Sequence, residues 1–298
     1  MEARAIPGVT VPAIAVPTRA RRNWVTRLLT SRLALPASLV LLVMIGCALF
    51  ANVLAPYDPL YQDYDNVLAS PSRAHPMGTD DLGRDVLSRI IYSARVSMSV
   101  GVVAVGIALV IGVPIGLLAA YHGGWLDDTL MRVMDAVASF PALLLALAIT
   151  VALRPGLINV MIAIGVVYIP AFARLARGEA LSTREREFVM AARVIGAHPS
   201  RVIAYHIWPN VTAPIIVLAS LRVASAIVTE ASLSFLGAGI PPPTPSWGLM
   251  LKASYQYTET SPWLALFPGL AIFLTVLAAN IFGDALRTAL DPRLRYRG

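Results

Sequence analysis

Long apolar stretches alternate with shorter polar segments along most of the 298 residues of this chain. Six of these stretches contain the roughly 20 residues that an α-helix needs to cross a bilayer. We therefore predict an all-α integral membrane protein with six transmembrane helices. The predicted spans cover residues 33–55, 96–121, 133–153, 157–176, 211–235 and 263–285.

Composition supports a membrane protein. Hydrophobic residues make up 57% of the chain and charged residues only 14%, whereas a soluble domain carries roughly 25% charged residues. The net charge of +7 does not indicate a nucleic-acid partner, because the arginines lie between the apolar stretches and form no single patch. The one cysteine, Cys47, lies inside an apolar stretch, so the sequence offers no disulfide framework and no cysteine metal site.

The distribution of arginine predicts the orientation of the spans. Residues 1–32 form a polar tail rich in proline and arginine, without hydrophobic periodicity, and we predict that this tail is disordered. The tail, the segment between the fourth and fifth spans and residues 286–298 carry far more basic residues than the opposite side. Because basic loops remain in the cytoplasm, we expect both termini there and membrane lipid around the spans.

Residues 56–94 are predicted to form an extracytoplasmic loop with an amphipathic helix near its end. Val86, Ile90 and Ala94 share one helical face, opposite Arg89, which favours a helix lying in the membrane interface. Four polar side chains precede it: His75, Asp80, Asp81 and Asp85. They could form a divalent-cation site, although aspartates just before a helix more often cap it.

Residues 184–210 are the longest arginine-rich interruption between two spans, and they predict two short helices with a corner between them. Gly196 stands where a left-handed C-terminal cap is expected, Pro199 suits the first turn of the second helix, and Pro209 is predicted to end it. A hairpin of this kind could bind a partner protein, or it could lie on the lipid headgroups as an ordinary loop. The apolar face of its first helix contains Phe188, Ala191, Ala192 and Ile195.

Two charged residues, Arg222 and Glu230, interrupt the fifth span. Ionisable residues inside a span are functional candidates by default, so both are candidates for a translocation pathway. Eight residues of helix separate them by about 12 Å, and they cannot form an ion pair directly. Pairing of each with a neighbouring subunit is an equally good interpretation.

The last outer loop, residues 237–262, is rich in proline and aromatic residues. The prolines predict a stiff, extended chain, and the aromatic side chains are natural anchors at the membrane surface. The loop either docks a soluble partner or covers the helix bundle. Its candidate docking residues are Pro242, Pro243, Trp247 and Tyr255.

Motifs of enzymatic chemistry are missing from the sequence. No G-x-x-x-x-G-K-[ST] phosphate loop is present, so the chain cannot hydrolyse ATP through that motif. No nucleophile-elbow pattern signals a Ser/His/Asp arrangement. The four histidines are dispersed, without carboxylates or cysteines at metal-ligand spacing. We predict a non-enzymatic protein that binds no cofactor itself.

Four longer motifs follow one another along the chain: HPMGTDDLGRDVLSR, YHGGWLDDTLMRVMDAVASFPALLLAL, EASLSFLGAGIPPPTPSWG and GDALRTALDPR. In this order they resemble the C-type permease of dipeptide and oligopeptide ABC importers of the peptide/nickel family, over about residues 30–295. Permeases of ABC importers also carry a cytoplasmic E-A-A-x-x-x-G loop that ends in I-x-L-P. That loop is recognisable here, but Met190, His206 and Trp208 depart from the family pattern, so the role of the family's glutamate is not carried over to this chain.

The resemblance implies the type I ABC importer permease fold, with a permease core over residues 95–285 and a coupling loop over 178–210, between helices four and five. It also implies a bacterial cytoplasmic membrane and three kinds of partner protein: a B-type sister permease, two ATPase subunits that bind ATP and Mg²⁺, and an extracytoplasmic substrate-binding lipoprotein. The implied ATPase-coupling residues are Glu187, Phe188, Ala191, Ala192, Ile195, Gly196, His198, His206 and Pro209.

The resemblance leaves the cargo open. Short peptides are the main expectation, but importers of nickel and glutathione share the same permease pattern. A secondary transporter or channel would need coupling charges or a selectivity ring inside the spans, for which Arg222 and Glu230 are thin support. A membrane-embedded enzyme is disfavoured because the spans contain no cluster of polar catalytic groups.

Overall fold

The computed structural model describes residues 33–290, and within this range the chain is helical without a β-strand. The predicted tail 1–32 and the last residues of the predicted tail 286–298 lie outside the described residues. The helices are α1 (Ala34–Leu54), α2 (Val86–His122), α3 (Gly124–Ala138), α4 (Ala142–Leu153), α5 (Leu157–Arg184), α6 (Glu187–Val194), α7 (Pro199–Phe235), α8 (Trp247–Ser254) and α9 (Trp263–Leu290). Short 3-10 turns cover Tyr64–Asn66 and Tyr255–Tyr257.

Five of the described helices, α1, α2, α5, α7 and α9, are long and apolar enough to cross a membrane. The bent pair formed by α3 and α4 makes a sixth span if it is counted as one. This agrees with the predicted all-α membrane class. The predicted span over 133–153 is not a single helix, because the chain bends by 88° between α3 and α4. Pro141 precedes α4 in extended conformation, and a proline there disfavours helical geometry at Phe140.

Helix α2 begins at Val86 and continues without a break to His122. The predicted separate interfacial helix is therefore wrong, since its residues form the first turns of a span. Its polar side does not face water. Arg89 is buried and donates from Nη1 to the carbonyl oxygen of Pro59 at 3.1 Å, and the buried Ser88 hydroxyl accepts from the Tyr57 N–H at 3.1 Å. The outer loop thus folds over this end of α2 and satisfies its polar groups.

The centre of the bundle is the packing of α2 against α5. Gly112 and Gly116 face α5 so closely that a Cβ at Gly116 would lie 2.2 Å from the carbonyl oxygen of Ala173. These two glycines form a G-x-x-x-G contact, which lets two backbones approach each other. Helix α1 packs against α2 and α9, and α7 packs against α9 and α2.

Candidate functional site

The chain between α5 and α7 forms a hairpin, as predicted. Helix α6 ends at Val194, and Gly196 follows two residues later with a φ of +79°, in the left-handed region. The Ala197 N–H donates to the carbonyl oxygen of Ala192 at 3.0 Å, and the Gly196 N–H donates to that of Arg193 at 3.0 Å. This pattern closes the end of a helix, so the prediction of a left-handed cap at Gly196 is confirmed.

The prediction that Pro209 ends the second helix of the hairpin is wrong. Helix α7 starts at Pro199 and continues through Pro209 to Phe235. Its residues Val202–Ile207 are π-helical, and the Trp208 N–H donates to the carbonyl oxygen of Ile203. Pro209 is then the second residue of the α-helical part, which begins at Trp208, and a missing N–H there costs no hydrogen bond. The hairpin is therefore continuous with the fifth span.

Helix α6 has an inner and an outer apolar side. The inner side consists of Val189 and Ala192, which are buried against the bundle. The predicted single face is thus partly wrong, because it placed Ala192 with outward residues and omitted Val189. We call the exposed residues Phe188, Ala191, Val194 and Ile195 the α6 outer face. The side chains of Val194 and Ile195 are 87% and 82% exposed, so no described part of the chain covers this face.

Two predicted coupling residues from outside α6 lie near it or at the corner of the hairpin. The ring centroid of His206, on α7, is 6.3 Å from that of Phe188. His198 is exposed at the corner, where its Nδ1 lies 2.8 Å from the Ser200 hydroxyl. Glu187 is exposed in the first turn of α6. The structure therefore brings most of the predicted coupling residues together on one hairpin.

The hairpin is tied to the helix bundle by arginines. The guanidinium carbon of Arg193 lies 4.7 Å from the ring centroid of Tyr121, at the end of α2. Arg184 donates from Nη1 to the carbonyl oxygen of Ala120 at 2.8 Å. Neither arginine is among the predicted coupling residues. Their partners belong to a distant part of the chain, and no local signal identifies them.

A bidentate ion pair continues this connection into α3. Arg177, on α5, donates from Nε and Nη2 to the two carboxylate oxygens of Asp127, at 2.6 Å each. Paired, parallel bonds of this kind fix orientation as well as distance. The hairpin, the end of α2 and the start of α3 thus form one connected unit.

Gly196 offers a test of the hairpin's geometry. A Cβ at this position would meet no heavy atom within 4 Å, so a substitution acts through the backbone alone. The resemblance implies a coupling role for this hairpin, so we expect Gly196→Val to disturb the cap by about 1–2 kcal/mol and to lower the transport obtained per ATP hydrolysed. The matched variant Gly196→Asn should remain close to wild type, because asparagine tolerates the left-handed region. Uptake and ATP hydrolysis measured together in proteoliposomes check this. An equal ratio of uptake to ATP hydrolysis in both variants would count against a role for the cap.

The two charged residues of the fifth span are not brought together. Glu230 is fully buried, and its carboxylate accepts from the Ser234 hydroxyl at 2.8 Å and from the Ser97 hydroxyl at 3.3 Å. Glu230 joins α2 to α7 within this chain and does not line an open path. The prediction that Glu230 is a pathway residue is therefore wrong. Arg222 is half-buried, and its guanidinium carbon lies 5.2 Å from the ring centroid of Tyr168 on α5.

The last outer loop packs onto the bundle through Trp247. This side chain is fully buried, and its Nε1 donates to the carbonyl oxygen of Ile90 at 3.1 Å. Its prediction as a docking residue is therefore wrong. The other three candidates, Pro242, Pro243 and Tyr255, are exposed, and they remain available to a partner.

Of the acidic residues before α2, Asp85 caps the helix, as the more common interpretation predicts. The Asp85 carboxylate accepts from the Ser88 N–H at 2.8 Å and lies 2.9 Å from Nδ1 of His75. Asp80 accepts from Nε of Arg84 at 2.7 Å. Across residues 33–290, no group of three or more His, Cys, Asp or Glu side chains is arranged to hold a metal ion.

Comparison with protein families identifies what this helical bundle is. Residues 112–296 match the family described as the binding-protein-dependent transport system inner membrane component. The chain belongs to this family of ABC importer permeases. Residues 20–71 match a second family model, the N-terminal transmembrane domain of oligopeptide transport permease C. The permease is therefore a multi-pass membrane subunit, as predicted.

Two curated relatives cover nearly the whole permease. The glutathione transport system permease protein GsiD of Pectobacterium atrosepticum is 43% identical over 290 residues, or 96% of each chain. The dipeptide transport system permease protein DppC of Alkalihalophilus pseudofirmus is 44% identical over 274 residues, or 92% of this chain and 90% of that relative. Their similarity confirms the resemblance to the peptide/nickel group of permeases.

The fold is also similar to a solved transporter. An inward-facing structure of the methionine ABC transporter MetNI superposes with a TM-score of 0.57 at 17% identity. It covers 68% of the permease and 96% of the solved chain. A second crystal form of the same transporter gives a TM-score of 0.58 at 18% identity. The type I ABC importer permease fold is confirmed.

Proposed function

We propose that this permease imports short peptides, including peptide-like glutathione, across a bacterial cytoplasmic membrane without catalysing a reaction itself. The observation that carries the proposal is the α6 outer face, an exposed apolar surface on a hairpin that is tied to the bundle. A short helix of this kind suits a groove on a partner protein. The names of the relatives, for dipeptides and glutathione, support a small peptide as cargo.

Partner subunits supply the energy in this proposal. Two ATPase subunits bind ATP and Mg²⁺ on the cytoplasmic side, and each groove holds the coupling hairpin of one permease. When the ATPases close, the hairpin follows as a rigid unit. Arg193, Arg184 and the Asp127–Arg177 pair pass that movement to α2 and α3. The bundle then switches the side to which its cavity opens, which is a two-state mechanism biased by ATP.

The remaining partners follow from the same proposal. A B-type sister permease completes the transmembrane pathway, and both termini of this chain lie in the cytoplasm. An extracytoplasmic lipoprotein binds the peptide and delivers it to the outer surface. The exposed residues Pro242, Pro243 and Tyr255 are candidates for that docking surface.

Reconstitution of the complete complex tests the proposed function. The two permeases, both ATPases and the binding protein are placed in proteoliposomes, and uptake of dialanine, glutathione and Ni²⁺ is compared. We expect ATP-dependent, vanadate-sensitive uptake of dialanine or glutathione and no comparable uptake of Ni²⁺. Uptake that persists without ATP would indicate a secondary transporter, and uptake of Ni²⁺ alone would contradict the peptide cargo.

A further inference from the structure

One side of α7 carries polar residues along the fifth span: Arg222, Ser225, Thr229 and Ser232. Their spacing of three, four and three residues places them on one face of a helix. All four are half-buried in this chain. Lipid is a poor neighbour for such a face, because an arginine near the middle of a span is costly in hydrocarbon. This face therefore meets water or another polar surface.

Arg222 has unused hydrogen-bonding capacity. Between Leu33 and Leu290, no carboxylate lies within ion-pair distance of its guanidinium. Its described neighbour is the Tyr168 ring, which interacts with the positive charge but accepts no conventional hydrogen bond. A guanidinium presents five N–H donors in a planar fork that matches a carboxylate. Arg222 is thus suited to bind a carboxylate that enters from outside the chain.

The hydroxyl groups that follow Arg222 along α7 can accept hydrogen bonds. Ser225, Thr229 and Ser232 donate their protons to backbone carbonyl oxygens one turn earlier, at 3.4, 2.8 and 2.8 Å. The Tyr168 hydroxyl lies 3.2 Å from Oγ1 of Thr229, and it is the donor of that pair when the Thr229 proton is used in the bond to the Ser225 carbonyl oxygen. Each serine or threonine oxygen retains a lone pair for an incoming N–H. The face therefore combines a guanidinium that can donate to a carboxylate with a row of hydroxyl oxygens that can accept from amide N–H groups.

We propose that this face of α7 is a binding path for the peptide, with Arg222 holding the C-terminal carboxylate and the hydroxyl oxygens accepting backbone N–H groups. This inference rests on the proposed function. Because α7 continues from the cytoplasmic hairpin, Arg222 lies at the cytoplasmic end of the face, and the peptide travels with its carboxylate leading. Ten residues of helix separate Arg222 from Ser232, or about 15 Å. That length fits about four extended residues.

The competing explanation is structural. Arg222 would then pair with an acidic residue of the sister permease and hold the two subunits together. The two explanations differ in one respect: only a carboxylate-binding Arg222 distinguishes a free peptide from the same peptide with an amidated C-terminus.

The test uses the complete complex in proteoliposomes, with trialanine and trialanine amide as probes. The binding protein is identical in every sample, so its own preference cancels when each variant is compared with wild type. We expect Arg222→Gln to reduce trialanine uptake about tenfold, the loss that follows when a charge-assisted hydrogen bond is removed. Uptake of trialanine amide should change less than about twofold. Arg222→Lys retains the charge without the fork and should fall between.

Two results would overturn the proposal. One is an equal loss of uptake for both probes in Arg222→Gln, and the other is loss of the sister permease from the purified Arg222→Gln complex, because either result assigns Arg222 a structural role. Failure of the proposed function is distinguishable, since the wild-type complex would then import neither probe and also no dialanine or glutathione.

Discussion

Replacement of Ile195 by aspartate is expected to release the ATPase subunits from the permease while the permease itself stays folded. Ile195 is 82% exposed, so the substitution removes little buried surface from the chain. In the complex, the new carboxylate would enter an apolar groove without a partner. We expect a cost of about 3 kcal/mol, which corresponds to roughly a hundredfold loss of affinity. Co-purification of the ATPases with the detergent-solubilised permease measures it.

The control adds the same charge away from the α6 outer face. Thr288 is exposed near the end of α9, outside residues 178–210, and Thr288→Asp should retain the ATPases. Val194→Asp, on the outer face, should behave like Ile195→Asp. Retention of the ATPases by both outer-face variants, in a permease that is folded by size-exclusion chromatography, would show that another surface binds them.

The helices and the hairpin are predictable from sequence, whereas the direction of the α6 faces is not. Apolar residues occur on both sides of this eight-residue helix. Val189 and Ala192 turn inward, and Phe188 and Ile195 turn outward. Periodicity identifies an apolar side only when the opposite side is polar. Here the choice is made by tertiary contacts such as that of Arg193 with Tyr121.

Two proline positions show that a proline alone does not decide where a helix ends. Pro141 lies inside a predicted span and breaks it, because α3 and α4 diverge by 88° there. Pro209 was predicted to end a helix and is accommodated after a π-helical segment. The intrinsic preference of proline is the same in both cases. The outcome depends on whether the backbone N–H at the proline's position would have donated to a carbonyl of the preceding turn.

Buried polar contacts between distant residues are the part of the site that sequence does not reveal. The sequence predicts that Trp247 docks a partner, yet its Nε1 donates to the carbonyl oxygen of Ile90, 157 residues earlier in the chain. Glu230 was interpreted as a pathway residue, yet it is bound by Ser97, 133 residues earlier. Aromatic and charged residues in a membrane protein have the same local appearance in either role. Arg222 differs because no acidic partner is found for it among residues 33–290.

Replacement of Gly116 by valine is expected to damage the permease more than any other single change considered. A Cβ there would lie 2.2 Å from the carbonyl oxygen of Ala173 and 2.9 Å from the Cβ of Ala176. A backbone oxygen cannot rotate away as a side chain can, so α2 and α5 must separate. That separation opens the packing around the fully buried Phe172. We expect a destabilisation of about 3 kcal/mol, the upper end of the usual cost of overpacking.

Gly106, on the same helix, provides the matched control. A Cβ at Gly106 would meet no heavy atom within 4 Å, so Gly106→Val makes the same change in helix propensity and hydrophobicity without the clash. Thermal unfolding of the two purified variants in detergent should therefore differ, with Gly106→Val close to wild type and Gly116→Val far below it. If both variants unfold together, close approach of α2 and α5 is not what stabilises the bundle. Because the measurement uses the isolated permease, neither the sister permease nor the ATPases contribute to the difference.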